Sequence, residues 1–258
     1  MKKLFYFVLL GSAIISACNK SGTDTKNNLE DEAAEVEKGS FKTVTFLAED
    51  SLSITADYYP NPDAKAIIVL LHQAGFSRGE YKDIAPRLVD SGYACLAVDL
   101  RSGNFVFDVI NQTAAAAKAK GLEPSYLSAM ADVKAAIQYA ANNSNKEIYL
   151  WGSSYSAGLA LIAAKEDERI KRVVAFSPGE YFSNQSTVRS RILGLNTPIF
   201  ITGSNAEYDM IIKPLVEVLP KHNVITFKPE SFSDHGSKTL WPSCSAAEIT
   251  YAKLFEFL

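Results

Sequence analysis

The sequence predicts an α/β fold, a mostly parallel twisted sheet of about eight strands with helices on both faces. Three features carry that expectation. The run Ala66-Ile67-Ile68-Val69-Leu70-Leu71 and others like it are continuously apolar, as strands buried on both faces must be. Such runs alternate with segments of helical spacing, and strand–helix–strand alternation produces parallel neighbours. The first two β-rich runs are separated only by Glu49-Asp50-Ser51, which makes an antiparallel pair instead.

The elements follow in order. Residues 43–48 and 53–59 form the antiparallel pair, and 66–71 is the first buried strand. Residues 80–90 have helical spacing and stop at Ser91-Gly92, and 93–100 is a second buried strand. Residues 101–128 connect to the next helix; 101–122 are mixed, with Gly103, Asn104 and an Ala/Lys-rich piece at 114–120. Within them Phe105, Phe107, Val109 and Ile110 are expected either to line a pocket, as a small lid, or to pack on the body. Residues 126–141 are helical in pattern, 147–151 a strand, and 155–165 an Ala/Leu-rich helix. Residues 172–176 make a strand closed by Ser177-Pro178-Gly179, 198–202 another, 209–219 a helix, 224–227 the last strand and 246–258 a C-terminal helix. No insertion after Ser177 is long enough for a separate cap domain.

Composition narrows the function. Of 258 residues, 47% are hydrophobic and 21% charged, too apolar for a disordered chain and too charged for a polytopic membrane protein. Lys and Arg number 26 against 29 Asp and Glu, so no basic footprint for nucleic acid exists. Three cysteines are too few for a disulfide scaffold, and Cys95 and Cys244 are expected as free, buried thiols, with pairing in an oxidising envelope the alternative. Three histidines, His72, His222 and His235, argue against a multi-histidine metal centre. There is no glycine-rich dinucleotide or phosphate loop, so neither metal nor cofactor is expected.

The N-terminal segment reads as an address. Lys2 and Lys3 precede an apolar stretch from Leu4 to Ala17, shorter than the ~20 residues that span a bilayer. It ends Ile15-Ser16-Ala17-Cys18, which resembles a bacterial lipobox. That resemblance implies that residues 1–17 are a signal peptide and that Cys18 is lipidated, anchoring the protein in the bacterial cell envelope. Residues 18–40 are polar and charged, with few apolar side chains to bury, and read as a tether. The folded domain is expected over 41–258.

Parallel sheets place their sites at the carboxyl ends of the strands. There the most informative run is Trp151-Gly152-Ser153-Ser154-Tyr155-Ser156-Ala157-Gly158, where a buried strand meets small residues and a helix starts at once. A sharp strand-to-helix bend strains its central residue and needs small neighbours two positions either side. Gly152 and Ser156 flank Ser154 in this way, so the Ser154 hydroxyl is expected at the sheet edge, above a helix N-terminus. Ser156 as nucleophile, flanked by Ser154 and Gly158, is the alternative.

This run resembles the Gly-x-Ser-x-Gly signature of the α/β-hydrolase superfamily, with Ser156 in place of the second Gly, as in members similar to dienelactone hydrolases and related esterases. The resemblance implies an α/β-hydrolase fold and a nucleophilic Ser154. Leu70-Leu71-His72-Gln73-Ala74-Gly75 resembles the loop that gives one backbone N–H to the oxyanion hole. The donor is expected at Gln73, with Ala74 the alternative, and the second donor at Tyr155. His72 is expected to bond within its own loop. His222 lies at the wrong end of the sheet, which leaves His235, in Ser233-Asp234-His235-Gly236, as the base. Its orienting acid is expected in Gly203-Ser204-Asn205-Ala206-Glu207-Tyr208-Asp209, at Glu207 with Asp209 the alternative. Trp241, near the base, either shapes the pocket wall or packs in the core.

The nucleophile–acid–base order Ser154, Glu207, His235 matches that of the hydrolase fold. The expected function is a carboxylesterase-like serine hydrolase acting on a small or medium ester through an acyl-enzyme. A serine peptidase or amidase on the same fold, and a non-catalytic ligand-binding lipoprotein, are the alternatives. The oligomeric state is left open.

Overall fold

The computed structural model describes residues 40–182 and 187–258. The expected signal segment 1–17, Cys18 and the expected tether through residue 39 lie outside the described residues, so the expected lipid anchor is not among them.

The eight-stranded sheet runs in the order β1-β2-β4-β3-β7-β8-β9-β10. Its strands are β1 (Lys42–Leu47), β2 (Ser53–Tyr59), β3 (Ala66–Leu71), β4 (Ala94–Val98), β7 (Glu147–Ser153), β8 (Ile170–Phe176), β9 (Ile199–Thr202) and β10 (Val224–Phe227). β1 pairs antiparallel with β2, and β2 antiparallel with β4; every other neighbour is parallel. This is the mostly parallel arrangement that the apolar runs predict and the α/β-hydrolase fold that the resemblance implies, with no separate cap domain among the described residues.

The continuous runs are explained by two cores, one on each face. Ile67, Val69 and Leu71 of β3 face a core shared with Leu150 of β7 and Val173 of β8. Helices α3 (Met130–Asn143) and α4 (Tyr155–Glu166) cover that face, α3 contributing Val133 and Ile137, α4 contributing Leu159 and Ile162. Ala66, Ile68 and Leu70 face the opposite core, closed by α1 (Ile84–Asp90) and the C-terminal helix α6 (Ala247–Phe257) through Leu88, Val89, Tyr251 and Leu254. A strand with period-two side chains between two helical layers has no face left for a polar residue.

Departures from expectation fall in the connections. The helix expected over 80–90 starts only at Ile84, because Arg78–Tyr81 forms a separate 3-10 turn whose Gly79 N–H bonds the Ser77 hydroxyl. The mixed stretch contains a small hairpin, β5 (Phe105–Val106) and β6 (Val109–Ile110), then helix α2 (Gln112–Ala119), capped by the Asn111 side chain on Ala114 N–H. The hairpin is pinned to the 3-10 turn by the Ser77 hydroxyl on the Val109 carbonyl (2.7 Å). A short helix α5 (Thr187–Arg191) precedes β9. The helix expected over 209–219 is broken into Asn205–Glu207, a wide π turn Tyr208–Ile212, and Lys213–Val216 with Pro214 in its first turn. Cys95 and Cys244 are free and buried.

Candidate active site

The carboxyl ends of β3, β7, β8 and β9 converge with the loop after β10. β7 ends at Ser153 and α4 begins at Tyr155, so Ser154 alone makes the bend. Its backbone takes φ 61° and ψ −123°, a region costly for any residue with a Cβ. The bend needs Gly152 for a steric reason: a Cβ there would meet Cα of Ala157 and the Ser156 carbonyl oxygen at 2.4 Å. The start of α4 thus rests directly on the strand's backbone.

Ser156 is fully buried, and its hydroxyl accepts from Ser153 N–H (2.9 Å) and lies 2.7 Å from the Leu71 carbonyl. It staples the bend to β3 and has no face toward solvent. The Ser154 hydroxyl instead meets that of Tyr181, which in turn donates to the Ser177 carbonyl (3.1 Å).

Nδ1 of His235 meets Oε2 of Glu207 at 2.8 Å. Burial pushes the Glu207 carboxyl up, but the His235 ring and the Ser177 hydroxyl outweigh it and hold the group below its ordinary value. Asp209 is exposed and bonds Lys228 instead (2.7 Å), so it does not reach the imidazole. The rings of Tyr181 and His235 stand edge to face at 6.2 Å. Tyr181 therefore touches both Ser154 and His235, although no hydrogen bond joins those two directly among the described residues.

The loop after β3 corrects one expectation. Gln73 N–H points inward and donates to Oε2 of the buried Glu80 at 2.7 Å. A donor spent on an interior carboxylate is not available to a substrate oxygen. The next amide, Ala74, has no partner among the described residues, and neither has Tyr155 N–H at the first turn of α4. His72 serves its own loop, as expected. Its Nε2 accepts from Leu100 N–H (2.9 Å), so Nδ1 carries the proton toward the Gln73 carbonyl (2.8 Å). Burial depresses its pKa to about 4, so it is neutral at physiological pH. His222 is exposed, ahead of β10, at the far end of the sheet.

The sequence profile of the dienelactone hydrolase family matches residues 55–224. The chain belongs to the dienelactone hydrolase family. Many solved structures share the fold of this family member. One is an esterase from Pyrococcus furiosus, 18% identical, the match covering 96% of this chain and 98% of that one with a TM-score of 0.65. Another is the dienelactone hydrolase from Anabaena variabilis, 15% identical, covering 84% of this chain and 96% of that one with a TM-score of 0.64. No curated protein matches the sequence.

Two side chains of this hydrolase escape sequence reasoning. Ser177, at φ 49° just past β8, accepts from Gly236 N–H (2.8 Å) and contacts Glu207, tying the acid-bearing and histidine-bearing loops together. The Ser-Pro-Gly sequence marks a turn but not that bond. The second is Glu80, which opens the segment of helical spacing and which no motif marks out, yet is fully buried. A cleft of about 420 Å³, lined by Pro124, Tyr126, Leu127, Tyr181 and Phe182, lies beside this centre, with Tyr126 stacked on Tyr155 at 4.4 Å. A cleft of about 460 Å³ between Leu47, Lys134 and Arg169 is slightly larger. It lies away from every group described above, so chemistry rather than volume locates the site.

Proposed function

We propose that the protein is a carboxylesterase-like serine hydrolase that cleaves a small or medium ester through an acyl-enzyme on Ser154. The observation that carries this reading is the 2.8 Å contact of Glu207 with His235, in a loop cluster that also holds a serine at φ 61°. A carboxylate on Nδ1 fixes the imidazole tautomer and leaves Nε2 as the basic nitrogen.

The steps follow. Ser154 Oγ leaves Tyr181 for Nε2 of His235 and gives up its proton to it as it attacks the ester carbonyl carbon. Hydrogen bonds of this kind are commonly unformed before substrate arrives. The carbonyl oxygen takes the negative charge and is held by the N–H groups of Tyr155 and Ala74, both without partners among the described residues. The C–O bond to the alcohol breaks as His235 returns the proton to the leaving oxygen. His235 then takes a proton from water as the water oxygen attacks the acyl carbon, and returns it to Ser154 Oγ as the C–Oγ bond breaks and the acid leaves. The apolar cleft between Tyr126 and Phe182 suits an apolar acyl or alcohol group.

Hydrolysis of short p-nitrophenyl esters by the purified protein, lost in Ser154→Ala, is the expected result. Cleavage of peptide amides but not esters would move the reading to a peptidase, and no turnover of either would leave a ligand-binding protein.

The same proposal includes anchoring in the bacterial cell envelope through a lipid on Cys18, supported by the Ile15-Ser16-Ala17-Cys18 run after a short apolar stretch. Multiple acyl chains hold a protein on a bilayer where one does not. Mass spectrometry of the mature N-terminus should find acylated Cys18, and Cys18→Ala should release the protein from the membrane fraction. An unmodified Cys18 would contradict this.

A further inference from the structure

Glu80 is fully buried, and among the described residues it forms no salt bridge. Its two carboxylate oxygens face neutral groups. Oε2 accepts from Gln73 N–H, and Oε1 lies 2.7 Å from the Ser153 hydroxyl. The Ser153 oxygen accepts in turn from Ser237 N–H at 2.9 Å, so its own proton goes to Glu80. The Glu80 backbone carbonyl accepts from Trp241 Nε1 (3.0 Å). Glu80 thereby connects the loop after β3 and the bend that carries Ser154 through its side chain, and the loop that carries His235 through Ser153 and its own backbone carbonyl. The fit is close: a Cβ at Gly236 would stand 2.4 Å from the Ser153 hydroxyl.

Burying an unpaired carboxylate is costly, and a neutral side chain would fill the same space more cheaply. A charge is needed only if something uses it. An ionised carboxylate is acceptor-only, so it receives both donors at once, whereas a glutamine must turn its NH₂ toward one of them.

We propose that Glu80 is a positioning residue of the hydrolytic site: it turns the Gln73 N–H inward, which leaves the neighbouring Ala74 N–H to serve the substrate oxygen, and through Ser153 it fixes the His235 loop against the bend that carries Ser154. This rests on the serine-hydrolase reading above. The clamp works in the ionised state. A proton on Oε1 would face the Ser153 oxygen, which already accepts from Ser237, and would leave the Ser153 hydrogen without its acceptor. Burial brings the Glu80 pKa up to about 7, against weaker opposing pulls from Ser153, Gln73 N–H, His235 and Lys238. The titratable and charged groups that face it are Tyr81 on its own turn, Tyr155 at the head of α4, and His235 and Lys238 on the loop after β10. His235 must be unprotonated to act as base and Glu80 must be ionised to hold the clamp, so two groups must lose protons for full activity.

The test compares the pH dependence of kcat/KM for a p-nitrophenyl ester in the wild type and in Glu80→Gln, with Ser154→Ala as the blank. The wild type should show an acid limb steeper than one proton, approaching a slope of two. Glu80→Gln should fall about 10–100-fold in kcat, with KM within about twofold, and its acid limb should relax to a slope of one. A wild-type slope of one overturns the proposal, and so does a Glu80→Gln enzyme with wild-type kcat and an unchanged profile. Should Glu80→Gln not fold, the wild-type slope decides alone. A wild type no more active than Ser154→Ala would instead remove the serine-hydrolase reading itself.

Discussion

The Glu207 carboxylate reaches Nδ1 of His235 at 2.8 Å across 28 positions of sequence, while Asp209, two residues further along the same helical segment, turns away to Lys228. The π turn Tyr208–Ile212 begins between them. Glu207 lies before it and points into the loop cluster, and Asp209 lies within it on the exposed side. Glu207→Gln should therefore lower kcat by about 10³-fold or more, because the amide cannot hold the same imidazole tautomer. Asp209→Asn should stay within about twofold, as exposed ion pairs contribute little. Ester kinetics on the two variants check this.

Glu207 and Glu80 make opposite contributions to pH stability. Glu207 is held below its ordinary value of 4.5, so it stabilises the fold above that pH and loses the effect as pH falls through the depressed value. Glu80 is raised from 4.5 to about 7, so the folded state binds the proton more tightly than the unfolded chain does. Its contribution is fully present below pH 4.5 and lost as pH rises through about 7. The unfolding free energy of the wild type relative to Glu80→Gln, from urea titrations, should fall across that window by up to about 3 kcal/mol. A constant difference would contradict the assignment.

Ser156→Ala should separate stapling from chemistry. The change strips a partner from the buried Ser153 N–H, whereas the Leu71 carbonyl keeps the Tyr81 hydroxyl at 2.6 Å. Thermal unfolding should show a loss of about 1–3 kcal/mol, and the variant should still hydrolyse esters.

Gly152→Ala tests the bend itself. A methyl group there collides with backbone at 2.4 Å, and backbone cannot swing aside as a side-chain tip does. The variant should lose more than about 3 kcal/mol or fail to accumulate as soluble protein.

Much of this was legible in the sequence because local pattern and tertiary need coincide. A strand between two helical layers must be apolar throughout, which made residues 66–71 and 94–98 readable. Gly152 and Ser154 were readable because a steric demand fixes the residue types around a tight bend. What stayed hidden depends on contacts distant in the chain. Glu80 sits at the head of a helical pattern, and only its bonds to Gln73 and Ser153, 7 and 73 positions away, draw it inward. The same bond moves the free amide from Gln73 to Ala74, a one-residue shift that no local periodicity records. The β5–β6 hairpin has strands of two residues each, too short for an alternation to register.

The central claim is that one hydroxyl, that of Ser154, becomes covalently acylated. The most direct measurement is mass spectrometry of the protein after a fluorophosphonate probe, with the modified peptide sequenced. The account predicts a single adduct on Ser154, absent in Ser154→Ala and retained in Ser156→Ala. An adduct on Ser156, or none on a folded wild-type protein, would contradict it.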